Sequence, residues 1–234
     1  MLRLSVAALA AAVVAVAPAR AQDLASICKT VTHPSVGGWG EYRYTGGEQA
    51  GSTMRMAIVG TEMRGDTSMI WLEMALRIPM PGGDSAHATM PVIAKMLVPG
   101  FGSEMSHPRA EVMKYGTAPA MTMPADMDSG SAGGSPELLQ NCLHSQIVGW
   151  EQVTVPAGTF RALHVRTAAG DEDTWLDPSL PIGVVKDSSS GNGDSTGVVL
   201  VRHGTGATSQ ITETPRPYDP QILMQMMMQG RKSP

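Results

Sequence analysis

From residue 39 onward the chain alternates between short runs of large apolar residues and clusters of Gly, Pro, Asn, Asp and Ser, the spacing of strands and turns. Trp39–Tyr44 alternates large and polar side chains and stops at Thr45-Gly46-Gly47. Ser52–Val59 and Ser68–Ile78 read as strands, stopped by Gly60 and Pro79. Met90–Val98 and Ala110–Tyr115 follow, and Pro91, near the start of the first, favours strand over a short helix. Further strands are expected at Gln152–Val155, Phe160–Thr167, Asp173–Leu176, Gly183–Lys186, Gly197–His203 and Gln210–Thr214. Val155-Pro156-Ala157-Gly158 has the form of a tight turn with proline at its second position.

Two segments carry helix signals. Ser135-Pro136, an N-cap followed by proline at the first helical position, opens a short helix that carries Cys142, just after a linker-like polar stretch over 125–134. Asp219-Pro220 opens a second at 221–229, stopped by Gly230 and followed by a loose tail. Its residues Ile-Leu-Met-Gln-Met-Met-Met leave little polar face, so it should dock or find a partner. The expected class is α+β, mainly antiparallel β, in one domain over 22–234.

The first 21 residues stand apart. A short positive start at Arg3, an apolar run over 5–17 and the small-x-small sequence Ala19-Arg20-Ala21 make a secretory signal cleaved after Ala21. The run is shorter than the roughly 20 residues a span needs, and Ile27 before Cys28 is too large for a lipid-attachment site. The expected location is therefore the periplasm or the exterior, without stable membrane insertion. In that oxidising setting Cys28 and Cys142, the only cysteines, are read as a disulfide. The loop-entropy model puts such a cross-link at roughly 4–5 kcal/mol.

Charge narrows the partners. Lys and Arg number 17 against 21 Asp and Glu, a net −4, and cleavage would remove Arg3 and Arg20 and leave −6. With no run of basic residues, the sequence speaks against nucleic acid and against an electrostatic membrane anchor.

Catalytic patterns are thin. Gly193-Asp194-Ser195-Thr196-Gly197 matches the G-x-S-x-G elbow, but a polar loop over 187–192 precedes Ser195 and the strand-like Val198-Val-Leu-Val follows it, so the strand-turn-helix context is missing. Compared with the Gly-Asp-Ser-Gly-Gly of chymotrypsin-like proteases, Thr196 stands where a glycine belongs, and the best-placed histidine, His87, lacks the cysteine that follows it there. The histidines His33, His87, His107, His144, His164 and His203 show no metal-ligand spacing, though His164 and His203 could meet across a sheet. The reading is therefore not an enzyme, with no cofactor.

Methionine is the compositional anomaly, 18 residues against 2 Phe, 4 Tyr and 4 Trp. It can fill core gaps or line an adaptable apolar cavity. It can also bind Cu(I) through thioethers, for which Met121, Met123 and Met127 are the candidate ligands and the Met224–Met228 cluster a further source. Alternation pairs Met54 with Met56 on one strand face and sets Met69 and Met74 on opposite faces.

Val148-Gly-Trp150-Glu-Gln-Val-Thr-Val-Pro156-Ala-Gly-Thr-Phe160-Arg-Ala-Leu-His-Val165, followed by Trp175-Leu-Asp-Pro-Ser-Leu-Pro-Ile-Gly-Val-Val-Lys186 and Ile211-Thr-Glu-Thr-Pro215, forms a signature of strands and turns. It resembles that of uncharacterised exported bacterial proteins whose domain is similar to the LolA and LolB lipoprotein-localisation factors. The resemblance implies a curved half-barrel with a few short helices over its concave side and a hydrophobic cavity between them. No ligand contact transfers with it. The expectation is a non-catalytic protein that binds a hydrophobic small molecule, a lipid or an acyl chain, or docks an envelope protein. The candidate lining is Met54, Met56, Ile58, Met69, Trp71, Met74, Met96 and Leu97, with the inward face of each strand left open because a one-residue slip reverses it. A Cu(I)-binding protein and a serine hydrolase built on Ser195 are the alternatives.

Overall fold

The computed structural model describes residues 26, 34–47, 49–79, 89–98, 110–124, 145–191, 194–222 and 224. Twelve strands follow in chain order: β1 (Trp39–Tyr44), β2 (Thr53–Arg64), β3 (Thr67–Pro79), β4 (Thr89–Val98), β5 (Ala110–Tyr115), β6 (Met121–Thr122), β7 (Gln146–Val155), β8 (Gly158–Arg166), β9 (Glu172–Leu176), β10 (Val184–Gly191), β11 (Asp194–Gly204) and β12 (Arg216–Pro217). They form one open, curved sheet in the order β12-β6-β5-β4-β3-β2-β1-β11-β10-β9-β8-β7. Every pairing is antiparallel except the two-residue β12–β6 contact. Helix among the described residues amounts to Ser26 and a turn at Pro220–Ile222 with Met224. The expected covering helix at 135–142, the polar loop at 125–134, the cysteines and the leader lie outside the described residues.

Turn chemistry sets the register. Gly65 adopts φ 59° in the two-residue β2–β3 turn, so Arg64 pairs with Thr67 and nine further residues of β2 follow in step, with one bulge between Ile58 and Gly60. The Pro156–Ala157 turn joins β7 and β8 with Val155 opposite Gly158.

The β7–β11 end curls. The Ala157 N–H donates to the Leu200 carbonyl of β11 at 3.2 Å, and Phe160 stands edge-to-face on His203 at 6.0 Å. The loop after β9 tucks Leu180 and Ile182 into the core. Asp177 holds that loop by accepting the Ser179 N–H at 2.9 Å and its hydroxyl at 2.7 Å. Tyr42, 1% exposed, lies beneath with its hydroxyl donating to the Val184 carbonyl at 3.2 Å. Burial pushes its phenol far up.

The β1–β6 end is held on its opposite, outer face by the segment 205–217. Glu73 is 1% exposed and would be costly to bury without partners. It accepts the Gln210 N–H at 3.0 and 3.1 Å and the Ser209 hydroxyl at 2.6 Å. Ile211 packs on Val112 and Ala120, and Lys114 pairs with Glu213 at 2.6 Å.

Four expectations are corrected. Gln210–Thr214 is this strap and not a strand, because its backbone N–H groups serve Glu73 and the Ser209 hydroxyl in place of a neighbouring strand. Gly60 does not stop β2; the chain passes it in a bulge and runs on to Arg64. β7 begins at Gln146, six residues before the expected Gln152, and a bulge between Ile147 and Gly149 hides the alternation. The polar stretch from Asp187 is strand up to Gly191, because Thr174 and Glu172 on β9 give Asp187 polar company.

Candidate functional site

Strand alternation and register place a methionine row on the inner face, the one that carries Tyr42. Met56 pairs with Met74, Met74 with Ala94, Ala94 with Met113 and Met113 with Met121, so one line of side chains crosses β2 to β6. Met54 and Met96 lie in the flanking rows, and Met90 and Met123 pack against Val92, Ala94 and Met113. Ala94 makes the row large-large-small-large-large. Directly opposed side chains lie about 5 Å apart at Cβ, so the thioethers form a contiguous unbranched row, buried at 0–5% exposure, that can re-form by rotamer changes.

The candidate lining divides between faces. Met54, Met56, Ile58, Met74 and Met96 share the inner face, where they join the main core cluster. Met69, Trp71 and Leu97 lie on the outer face: Trp71 pairs with Leu97, and its indole donates to Glu62 at 3.1 Å while Lys95 sits over its ring at 4.9 Å. Of the candidate Cu(I) ligands, Met121 is buried and cross-paired with Met113, and the Met123 N–H donates to the Glu111 carbonyl at 2.9 Å, continuing the ladder; Met127 lies outside the described residues.

Polar groups missed by the sequence reading interrupt the apolar surface. Glu111 is buried across from Met96. Burial, aided by the negative charges of Glu111 and Tyr218, raises the Tyr115 phenol. At the other end, Asp187 accepts the Thr174 hydroxyl at 2.9 Å on the inner face. Burial first, and then the Glu172 carboxylate beside it, push its carboxyl up to about 7. Only the alternation of Glu172 with Thr174 and of Asp187 with Ser189 would have signalled that two carboxylates share that face.

On the outer face His164 is clasped between carboxylates, with Nδ1 at 3.0 Å from Glu151 and Nε2 at 2.5 Å from Asp173. Trp175 stacks on it at 4.4 Å and donates its indole N–H to the same Glu151 oxygen, while Lys186 covers the Trp175 ring at 4.4 Å. Asp173 loses some solvation, but hydrogen bonds from Arg166 and His164 outweigh that and hold its carboxyl below the usual range. Glu151, His164, Asp173, Arg166 and the Trp175 indole thus link β7, β8 and β9, the arrangement of a clasp between strands. His203 does not join it.

Ser195 sits opposite Ser190 beside the β10–β11 turn, and a Cβ on Gly46 would fall 1.9 Å from its carbonyl oxygen. Among the described residues no histidine is hydrogen-bonded to it; His87 lies outside them. Neither is there a group of three or more His, Cys, Asp and Glu placed to hold a metal ion, nor a helix long and apolar enough to cross a membrane.

No family model matches the chain, and no curated protein does. Among solved structures, the chain is similar to a Bacteroides fragilis protein assigned as exported, with a YmcC-like fold, at 13% identity and a TM-score of 0.36, covering 74% of this chain and 97% of that one. It is likewise similar to a Parabacteroides distasonis protein assigned as a lipoprotein, at 12% identity and a TM-score of 0.36, covering 74% and 98%. Neither description names a LolA-type factor.

Proposed function

We propose that this is an exported, non-catalytic binding protein whose inner sheet face takes an apolar ligand of the lipid or acyl-chain class. The observation that carries the reading is the row Met56–Met74–Ala94–Met113–Met121, a buried line of flexible side chains with its smallest member at the centre. Binding would draw on apolar burial at about 25 cal/mol per Å², with the thioethers following the ligand's shape. The leader over 1–21 supplies the extracytoplasmic setting.

The test is native mass spectrometry of residues 22–234 purified from the periplasm, followed by titration with cis-parinaric acid. A co-purified lipid-sized mass, or saturable parinarate uptake, supports the reading; a bare protein that takes up no parinarate overturns it. A Cu(I) reading rests on the Met113–Met121 pair with Met123 beside it. It predicts copper adducts that disappear when Met121 and Met123 become leucine, a change that keeps volume and removes the soft donor.

A further inference from the structure

The sequence scatters its basic residues, but the sheet gathers several of them into one stripe on its outer face. Trp175 pairs with Lys186, Lys186 with Val199, Val199 with Arg43 and Arg43 with Thr53. The β2–β3 register, carried one step beyond Met54 and Leu76, sets Arg77 across from Thr53. Lys186, Arg43 and Arg77 therefore stand two strands apart along a single row, about 10 Å between neighbours. Arg55, in the next row, lies over Trp39 at 5.2 Å.

The acidic side chains around this stripe are already engaged. Glu41 pairs with Arg202 at 2.5 Å, and Asp173 and Glu151 serve His164. Among the described residues Arg43 and Arg77 have no carboxylate partner and are exposed, while Lys186 and Arg55 meet only aromatic rings. A chain of net charge −4 thus carries a local excess of positive charge, spaced regularly and bordered by two half-buried tryptophans.

We infer that this outer stripe docks the protein on the phosphate headgroups of an anionic bilayer. A row of positive charges about 10 Å apart, of which Arg43 and Arg77 have no carboxylate partner among the described residues, complements an extended anionic plane. The contact is peripheral, involves the opposite face from the methionine row, and does not depend on that row binding a ligand.

The experiment is co-sedimentation of residues 22–234 with vesicles of one part phosphatidylglycerol to two parts phosphatidylcholine, against vesicles of phosphatidylcholine alone. The expected result is binding to the anionic vesicles only, released by salt. Replacing Lys186, Arg43 and Arg77 together by alanine should weaken it roughly a hundredfold, at about fivefold per charge. A control that removes the same charge elsewhere, Arg64→Ala with Arg161→Ala and Arg216→Ala, should retain most of the affinity. Equal loss in both variants, equal binding to neutral vesicles, no binding at all, or retention on heparin without vesicle binding would each overturn the inference. Parinarate titration of the stripe variant without vesicles reads the inner face separately, so the two proposals fail independently.

Discussion

The two ends of this sheet bury apolar surface in different ways. At the β7–β11 end the chain bends back on itself and fills the curl with branched side chains: Leu163, Val165, Leu176, Leu180, Ile182 and Val185. Such shapes have few rotamers and fix one packing. At the β2–β6 end the same inner face sets Met54, Met56, Met74, Met96, Met113 and Met121 among Ile58, Leu72, Val92 and Val98, and the methionine torsions permit many packings. A strap clamped on buried Glu73 steadies that end from behind. One end is specified by shape and the other by composition, and the adaptable end is where a ligand of variable outline is best received.

The largest effect should come from breaking the rigid end. Leu163→Ala, at a position 1% exposed, should cost about 2–5 kcal/mol, read as a lower urea midpoint with an unchanged slope. Next is the clamp behind the adaptable end. Glu73→Ala leaves the Gln210 N–H and Ser209 hydroxyl without their acceptor, which should cost about 1–3 kcal/mol. Amide exchange should then quicken over 205–217 first; uniform quickening would mean that the strap does not steady this end.

The buried carboxyls sharpen the comparison by pH. Asp187 is raised from 3.8 to about 7, so its protonated form stabilises the fold fully below about pH 4, and that contribution is lost as pH rises towards 7. Asp187→Asn should therefore raise Tm at pH 8 by a few degrees, roughly 2–4 °C for each kcal/mol in a chain this size, and change little at pH 4. Asp173, lowered by its partners, has the opposite sign: its contribution is present above the ordinary carboxylate range and fades as pH falls through it. A flat difference between Asp187→Asn and the parent across pH would show that burial does not hold that proton. The smallest effect is expected from Met74→Leu, which keeps volume and should cost under about 1.5 kcal/mol. Its consequence is narrower ligand tolerance, read by comparing parinarate displacement by straight and branched fatty acids.

Much of the strand framework was legible because alternation and turn residues are local signals. Trp39–Tyr44 and Ala110–Tyr115 fall where the pattern puts them, and the Val155–Gly158 turn is where proline and glycine require it. What was hidden depended on distant partners. Gln210–Thr214 has strand composition, but a carboxylate 137 residues away takes its N–H group. Asp187–Ser189 has loop composition, yet it pairs on both sides with β9 and β11. The candidate lining mixed two faces because it took both parities of one strand, Met69 and Trp71 with Met74 on β3 and Met96 with Leu97 on β4, and only the pairing register says which parity turns inward. The methionine row and the basic stripe are both products of register between strands, which no local pattern prints.

Amide hydrogen exchange of residues 22–234 with and without saturating oleate tests directly whether the methionine row is the face that takes the ligand. Added protection is expected in β2–β5, the strands that carry Met56, Met74, Ala94 and Met113, with β8–β10 unchanged. Protection centred on the β7–β11 curl, or none despite saturation, would contradict it.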